Sequence, residues 1–190
     1  MATLSVIIPS KGRESLRETL ASIPDWPEVI VVADEGHDGY QNAYQIASPR
    51  AKMLATGPSI LGHPQRQLGM AEATGGWLCF IDDDDVYTEE AFLAFKKAMT
   101  RKRPTLFRMR YEDEDTILWN EPRVAHCNVG TPMILTPNVP AKLGEWAWKR
   151  TGDFDFIRDT VANFGGCTFD ETIVCTVRRL DHSPYYVTVS

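Results

Sequence analysis

The sequence predicts an α/β fold, a mostly parallel sheet flanked by helices, and three observations carry that expectation. Residues 3–8, 28–33 and 77–81 are short, largely apolar runs, the pattern of strands covered on both faces. Segments of helical periodicity separate them, and strand, helix, strand within roughly thirty residues is a βαβ unit with a right-handed crossover. Acids collect where two of these strands end, at Asp34 and at Asp82–Asp85.

Each element has its own reason. The first strand covers 3–8, and Pro9 is expected to end it and open a loop. Leu16, Leu20 and Ile23 follow at helical spacing, and Pro-Asp-Trp-Pro at 24–27 stops that helix. The strand at 28–33 runs into a polar loop at 34–39. A weaker strand at 51–55 leads through a Gly/Pro loop to a helix that starts at Pro64 and stops near Gly75-Gly76. Trp77–Ile81 is the next strand, and four aspartates follow it directly. A helix then starts near Thr88, with Phe92, Phe95 and Met99 along one face. Strands are expected at 105–111, 116–119 and 133–135. A helix runs from Asp153 to Phe164, with Ile157, Val161 and Phe164 on its apolar face and Gly165-Gly166 to end it. Residues 172–178 form the last strand. No linker is long enough to separate a second domain, so residues 1–190 are read as one.

Composition narrows the function classes. The 190 residues carry 20 Lys+Arg against 26 Asp+Glu, a net charge of −6, which argues against sequence-blind binding to a phosphate backbone. The longest apolar runs, such as Val29–Ala33, are far short of a membrane span. The first residues lack the basic-then-apolar pattern of a secretory signal, so the expected location is cytoplasmic. Cys79, Cys127, Cys167 and Cys175 have no zinc-site or Cys-x-x-Cys spacing and are expected to be buried thiols.

The most informative feature is Asp82-Asp83-Asp84-Asp85 at the carboxyl end of a buried strand, where ligands bind in open α/β sheets. Alternation points Asp82 and Asp84 to one side and Asp83 away. Two oxygen donors on one side suit a hard cation, Mg²⁺ or Mn²⁺, that shares its shell with substrate phosphates. Asp34 and Pro9-Ser10 close the two neighbouring strands, so three strand ends line one crevice. Arg66, near the start of a helix, is placed to reach a diphosphate or a base.

Ser5-Val-Ile-Ile-Pro9, Val31-Val-Ala-Asp34, Arg66-Gln-Leu-Gly69 with Ala73-Thr-Gly-Gly76, and Phe80-Ile-Asp-Asp-Asp-Asp85 together resemble glycosyltransferase family 2. Their order and spacing carry the resemblance over residues 3–95. Gly130-Thr-Pro-Met133 and Gly152-Asp-Phe-Asp-Phe156 extend it more loosely into the second half. The resemblance implies the GT-A fold, with residues 1–103 as a Rossmann-like half that binds a nucleotide-sugar and 104–190 as a trimmed acceptor-binding half. It implies a UDP-sugar donor, Mn²⁺ or Mg²⁺, and transfer to an acceptor hydroxyl with inversion. Such an acceptor could be a glycan, a small molecule or a modified DNA base. The donor contacts so implied are Pro9 and Ser10 beside the base, Asp34 on the base, Arg66 in the same pocket, and Asp82 and Asp83. Asp82 would hold the ribose or a metal-bound water, Asp84 the metal, and His182 would complete the metal site. Asp153 falls where the catalytic base lies, with Asp155 as the nearest substitute.

The chain departs from the family pattern at Ala33, where an acid is common, at Gln67 for Asn, and at Gly152 for the Glu of a Glu-Asp pair. Two other readings stay open on the residues. A nucleotidyltransferase would need a Gly-rich phosphate loop, and Ser10-Lys11-Gly12-Arg13 offers one glycine. A non-catalytic sugar-nucleotide-binding domain would keep the fold without turnover. His37, His63 and His126 read as loop or packing residues, and the basic run 96–103 as a solvated helix end. Trp146 and Trp148 could be core or an acceptor platform. Glu112–Asp115 reads as an exposed turn.

Overall fold

Seven residues without a charge, Leu4–Ser10, form the central strand β1, buried along its whole length. The computed structural model describes residues 3–35, 39–57, 61–112 and 116–178. β1 pairs in parallel with β2 (Glu28–Asp34) on one side and with β4 (Trp77–Phe80) on the other. β2 pairs in parallel with β3 (Lys52–Thr56). The connecting helices are α1 (Leu16–Ala21), α2 (Tyr40–Ala47) and α3 (His63–Glu72).

Pro9 lies inside β1 and does not end it. Ile81 donates its N–H to the Ile7 carbonyl at 3.2 Å, and Pro9 faces the same neighbour as Ile7. β4 has left the ladder by that point, so the missing proline N–H forfeits no ladder bond. Helix α2 lies between the loop at 34–39 and the strand at 51–55, a stretch in which the sequence marks no element. Its buried residues are Ala43, Ile46 and Ala47, too few for periodicity to stand out.

After β4 come the two-residue strand β5 (Val86–Tyr87), helix α4 (Ala91–Ala98), β6 (Thr105–Tyr111), β7 (Ile117–Leu118), β8 (Ile134–Pro137), helix α5 (Gly152–Asn163) and β9 (Thr168–Val177). The sheet order is β3-β2-β1-β4-β8-β6-β9-β5, with β7 on β6. β8 is antiparallel to both β4 and β6, while β6 and β9 are parallel. Six described strands (β1, β2, β3, β4, β6, β9) therefore run one way, and the sheet is mostly parallel.

Phe80 at the end of β4 joins the two halves. Its ring lies 5.2 Å from Trp146 and 5.4 Å from Phe156, both edge-on, and Trp146 stacks on Phe156 at 4.3 Å. This aromatic cluster docks the start of α5 beside the carboxyl end of β4. Cys79 and Cys175 are buried thiols as expected, whereas Cys167 is half-buried and Cys127 exposed. Among the described residues, no helix is long and apolar enough to cross a membrane.

Helix α3 approaches the sheet at Gly69, where a Cβ would lie 2.5 Å from Ile7 Cγ2. Ile7 is fully buried in β1 and cannot retreat. Gly69→Ala is expected to lower unfolding stability by about 1–3 kcal/mol through overpacking, read as a lower denaturant midpoint. An unchanged midpoint would show that α3 can lift from β1.

Candidate active site

The chain leaves the sheet after Ile81 and turns sharply. Asp85 donates its N–H to the Asp82 carbonyl at 3.2 Å, closing a turn through Asp83 and Asp84. The turn adds a member that simple alternation omits. Carboxylate oxygens of Asp82, Asp84 and Asp85 all lie within 4.8 Å of one another. Asp83 points the other way and is 3% exposed. Its Oδ2 accepts from Ser10 Oγ and from the Lys11 N–H, each at 2.8 Å, and its Oδ1 accepts from Arg13 at 3.2 Å. Asp83 and Ser10 thus fasten the β1–α1 loop to the acidic turn.

Three arginines from distant stretches of the chain meet the acids. Arg66 of α3 is 3% exposed, pairs with Asp82, and bonds the Leu61 carbonyl at 2.8 Å. Arg13 pairs with Asp84. Arg178, just past β9, donates its backbone N–H to Asp85 Oδ1 at 2.9 Å and its Nε–H to the Asp84 carbonyl at 2.6 Å, and it pairs with Glu18. Burial, with the charge of Asp82 next, still pushes Asp84 up to about 6 and Asp85 up to about 8. Burial also raises Asp83.

The other parallel strands end along the same edge of the sheet. Pro9 and Ser10 lie in register with Val32 and Ala33, and Asp34, buried, closes β2 beside Thr56. Asp153 sits in the first turn of α5, half-buried, and its Oδ1 accepts the Phe154 N–H at 2.7 Å. Burial raises its pKa, and it feels the charges of Arg66, His63 and Asp82. The structure therefore brings Asp153 within electrostatic reach of the acidic turn. Asp155 is committed elsewhere, paired with Lys149 and Arg158 at 2.7 Å each. Trp146 is buried and Trp148 is 73% exposed, so only the latter is free to serve as a platform. His37, His182 and residues 113–115 lie outside the described residues.

Sequence reasoning missed Asp85, Arg13 and Arg178 as members of the acidic cluster and its countercharges. Asp85 is visible in the acidic run, and Arg13 in the loop after the first strand. Nothing local marks Arg178, which stands 93 residues from Asp85. His63 reads as a packing histidine, and it is 5% exposed at the start of α3, three residues before Arg66.

The crowded acids set a pH dependence. A carboxyl whose folded pKa is raised holds its proton in the native state after the unfolded chain, at about 3.9, has lost it. Stability without divalent metal should therefore fall as pH rises from about 4 through the values near 6 and 8 of Asp84 and Asp85. Asp84→Asn, in chelator, is expected to raise the melting temperature at pH 8 by about twice as much as at pH 5. An equal change at both pH values would contradict this assignment.

The acidic turn, its arginines and the helix-borne aspartate can be set against known proteins. The profile of "Glycosyl transferase family 2" matches residues 5–163. No protein of curated function matches the chain in sequence. Among solved structures, S. aureus TarS superposes with a TM-score of 0.78 at 16% identity, over 93% of this chain and 36% of that one. TarS 1–349 in complex with UDP-GlcNAc gives a TM-score of 0.73 at 16% identity, over 94% and 59%. The complex with UDP gives 0.71 at 16%, over 93% and 60%. The chain thus spans about a third of full-length TarS and three-fifths of the shorter form. At this identity the likeness shows the shared GT-A fold, and the profile shows the family: the chain belongs to glycosyltransferase family 2.

Proposed function

We propose that this protein transfers a sugar, a hexose by the family resemblance, from a UDP-sugar to an acceptor hydroxyl, with inversion and with help from Mn²⁺ or Mg²⁺. The observation that carries the reading is the convergence of Asp82, Asp84 and Asp85 at the carboxyl end of β4. TarS, of the same fold, has been solved with UDP and UDP-GlcNAc, which supports a uridine donor. The donor set is all carboxylate oxygen, the chemistry of a hard divalent cation. Asp82, Asp84 and Asp85 would hold the ion, and when bound it would act as a Lewis acid toward the diphosphate leaving group. His182 remains a proposed further ligand, and the setting we propose is cytoplasmic.

The chain's own residues supply the rest. Pro9 and Asp34, at the ends of adjacent strands, would receive the base. Arg66 and Arg13 already pair with Asp82 and Asp84, so they are placed to meet the negative charge of a diphosphate as well. Asp153 would take the proton of the acceptor hydroxyl as its oxygen bonds to the anomeric carbon. The bond from that carbon to the diphosphate breaks on the opposite face, and the electron pair leaves with UDP. Burial raises the pKa of Asp153, which makes its carboxylate a stronger base.

The test measures UDP release from a panel of UDP-sugars in Mn²⁺ with candidate acceptors, for the native protein and Asp153→Asn. The amide can still accept the Phe154 N–H but cannot take a proton. Turnover is expected to fall on the order of 10²-fold or more, with donor affinity nearly unchanged. Full activity in the variant would assign the base to another group. Donor binding without turnover in the native protein would favour the non-catalytic reading.

A further inference from the structure

We propose that His63 is a positioning residue for Asp153: its Nε2–H holds the Lys149 carbonyl from which α5 starts, and so sets where the carboxylate sits. The inference rests on the function proposed above, because it assumes that Asp153 is the base.

The first turn of α5 is tied locally through Asp155, whose carboxylate accepts from the Thr151 hydroxyl at 3.2 Å and pairs with Lys149 at 2.7 Å. The N-cap residue, Thr151, makes no side-chain capping bond, and the segment before it has no regular structure. The Lys149 carbonyl accepts the Gly152 N–H at 2.9 Å, one residue before Asp153. His63 Nε2 lies 3.1 Å from the same oxygen. A carbonyl cannot donate, so the ring nitrogen facing it must carry the proton. The same atom of α3 therefore holds the peptide that begins the helix of the base.

The rest of α3 holds the same segment. The His63 ring stacks on Trp146 at 5.7 Å, the Arg66 guanidinium lies 5.0 Å over that indole, and Gln67 Oε1 accepts the Trp146 backbone N–H at 3.3 Å. Arg66 reaches the other way to Asp82. One short helix thus touches both the acidic turn and the peptide leading to Asp153. In-line transfer depends on that separation, since an error of about 1 Å can cost on the order of 10²-fold in rate.

Two details separate this role from ordinary packing. His63 Nδ1 is buried without a hydrogen-bond partner among the described residues, a cost that an apolar side chain of similar shape would avoid. Gly152 leaves room for the ring, because a Cβ there would lie 2.8 Å from His63 Nε2 and 2.3 Å from the Ala147 carbonyl oxygen. The imidazole therefore abuts the position where the family pattern places a glutamate.

The test compares His63→Leu, which keeps bulk and loses the donor, with His63→Gln, whose amide N–H can reach the Lys149 carbonyl. The leucine variant is expected to lose about 10- to 100-fold in kcat, with UDP affinity in Mn²⁺ within about twofold of native and faster hydrogen exchange at the Gly152 amide. Glutamine is expected to restore most of both. Native kcat and native exchange in His63→Leu would overturn the proposal, as would a glutamine variant no better than leucine. UDP affinity falling in step with kcat would place His63 in the donor pocket instead. If the leucine variant does not melt cooperatively, His63→Asn, whose amide stops short of the carbonyl, should show the same defects. If the native protein turns over no nucleotide-sugar, the function reading fails, and exchange at Gly152 still decides whether His63 holds the helix start.

Discussion

Four consecutive carboxylates at the end of a buried strand are the constraint around which this molecule is built. At the separations seen among Asp82, Asp84 and Asp85, each pair, when both members are ionised, repels by roughly 3.5 kcal/mol or more at an effective dielectric near 20. The fold answers with guanidinium groups from the β1–α1 loop, from α3 and from the end of β9. Each arginine also fastens its own element to the turn, so the site helps hold the fold together. Asp83 completes the arrangement by turning away and binding the β1–α1 loop. Asp85, raised to about 8, keeps much of its proton at neutral pH, and a bound divalent cation would favour its ionised form.

Much of the nucleotide-binding half was legible because its signals are local. Unbroken apolar runs mark β1, β2 and β4, and the parallel sheet follows from the helices between them. The strand-end rule placed Asp34 and the acidic run at one edge. Where local signals are weak, the reading thinned. Helix α2 buries small residues, β5 is two residues long, and Pro9 continues its strand only because β4 has already turned off.

The site was legible in its acids and not in its countercharges. A run of aspartates announces itself, but the arginine that meets Asp85 is found only once β9 is paired beside β6. Asp85 joined the cluster because the chain turns, whereas alternation assumed that it stays extended. Trp146 and Trp148, alike in sequence, differ in fate because Phe80 and Phe156 enclose the first and leave the second at the surface. The contacts of α3 with Trp146 and Lys149 join residues 79 and 86 positions apart, and contacts of that range have no one-dimensional trace.

The central claim is that the acidic turn binds donor through a divalent cation. Calorimetric titration of UDP into the native protein, in Mn²⁺ and again in chelator, tests it most directly. The account predicts a clear binding isotherm with Mn²⁺, weakened at least tenfold, a loss of about 1.4 kcal/mol, when the metal is removed. Equal affinity in both buffers would contradict it and would leave the carboxylates as a structural knot closed by arginine alone.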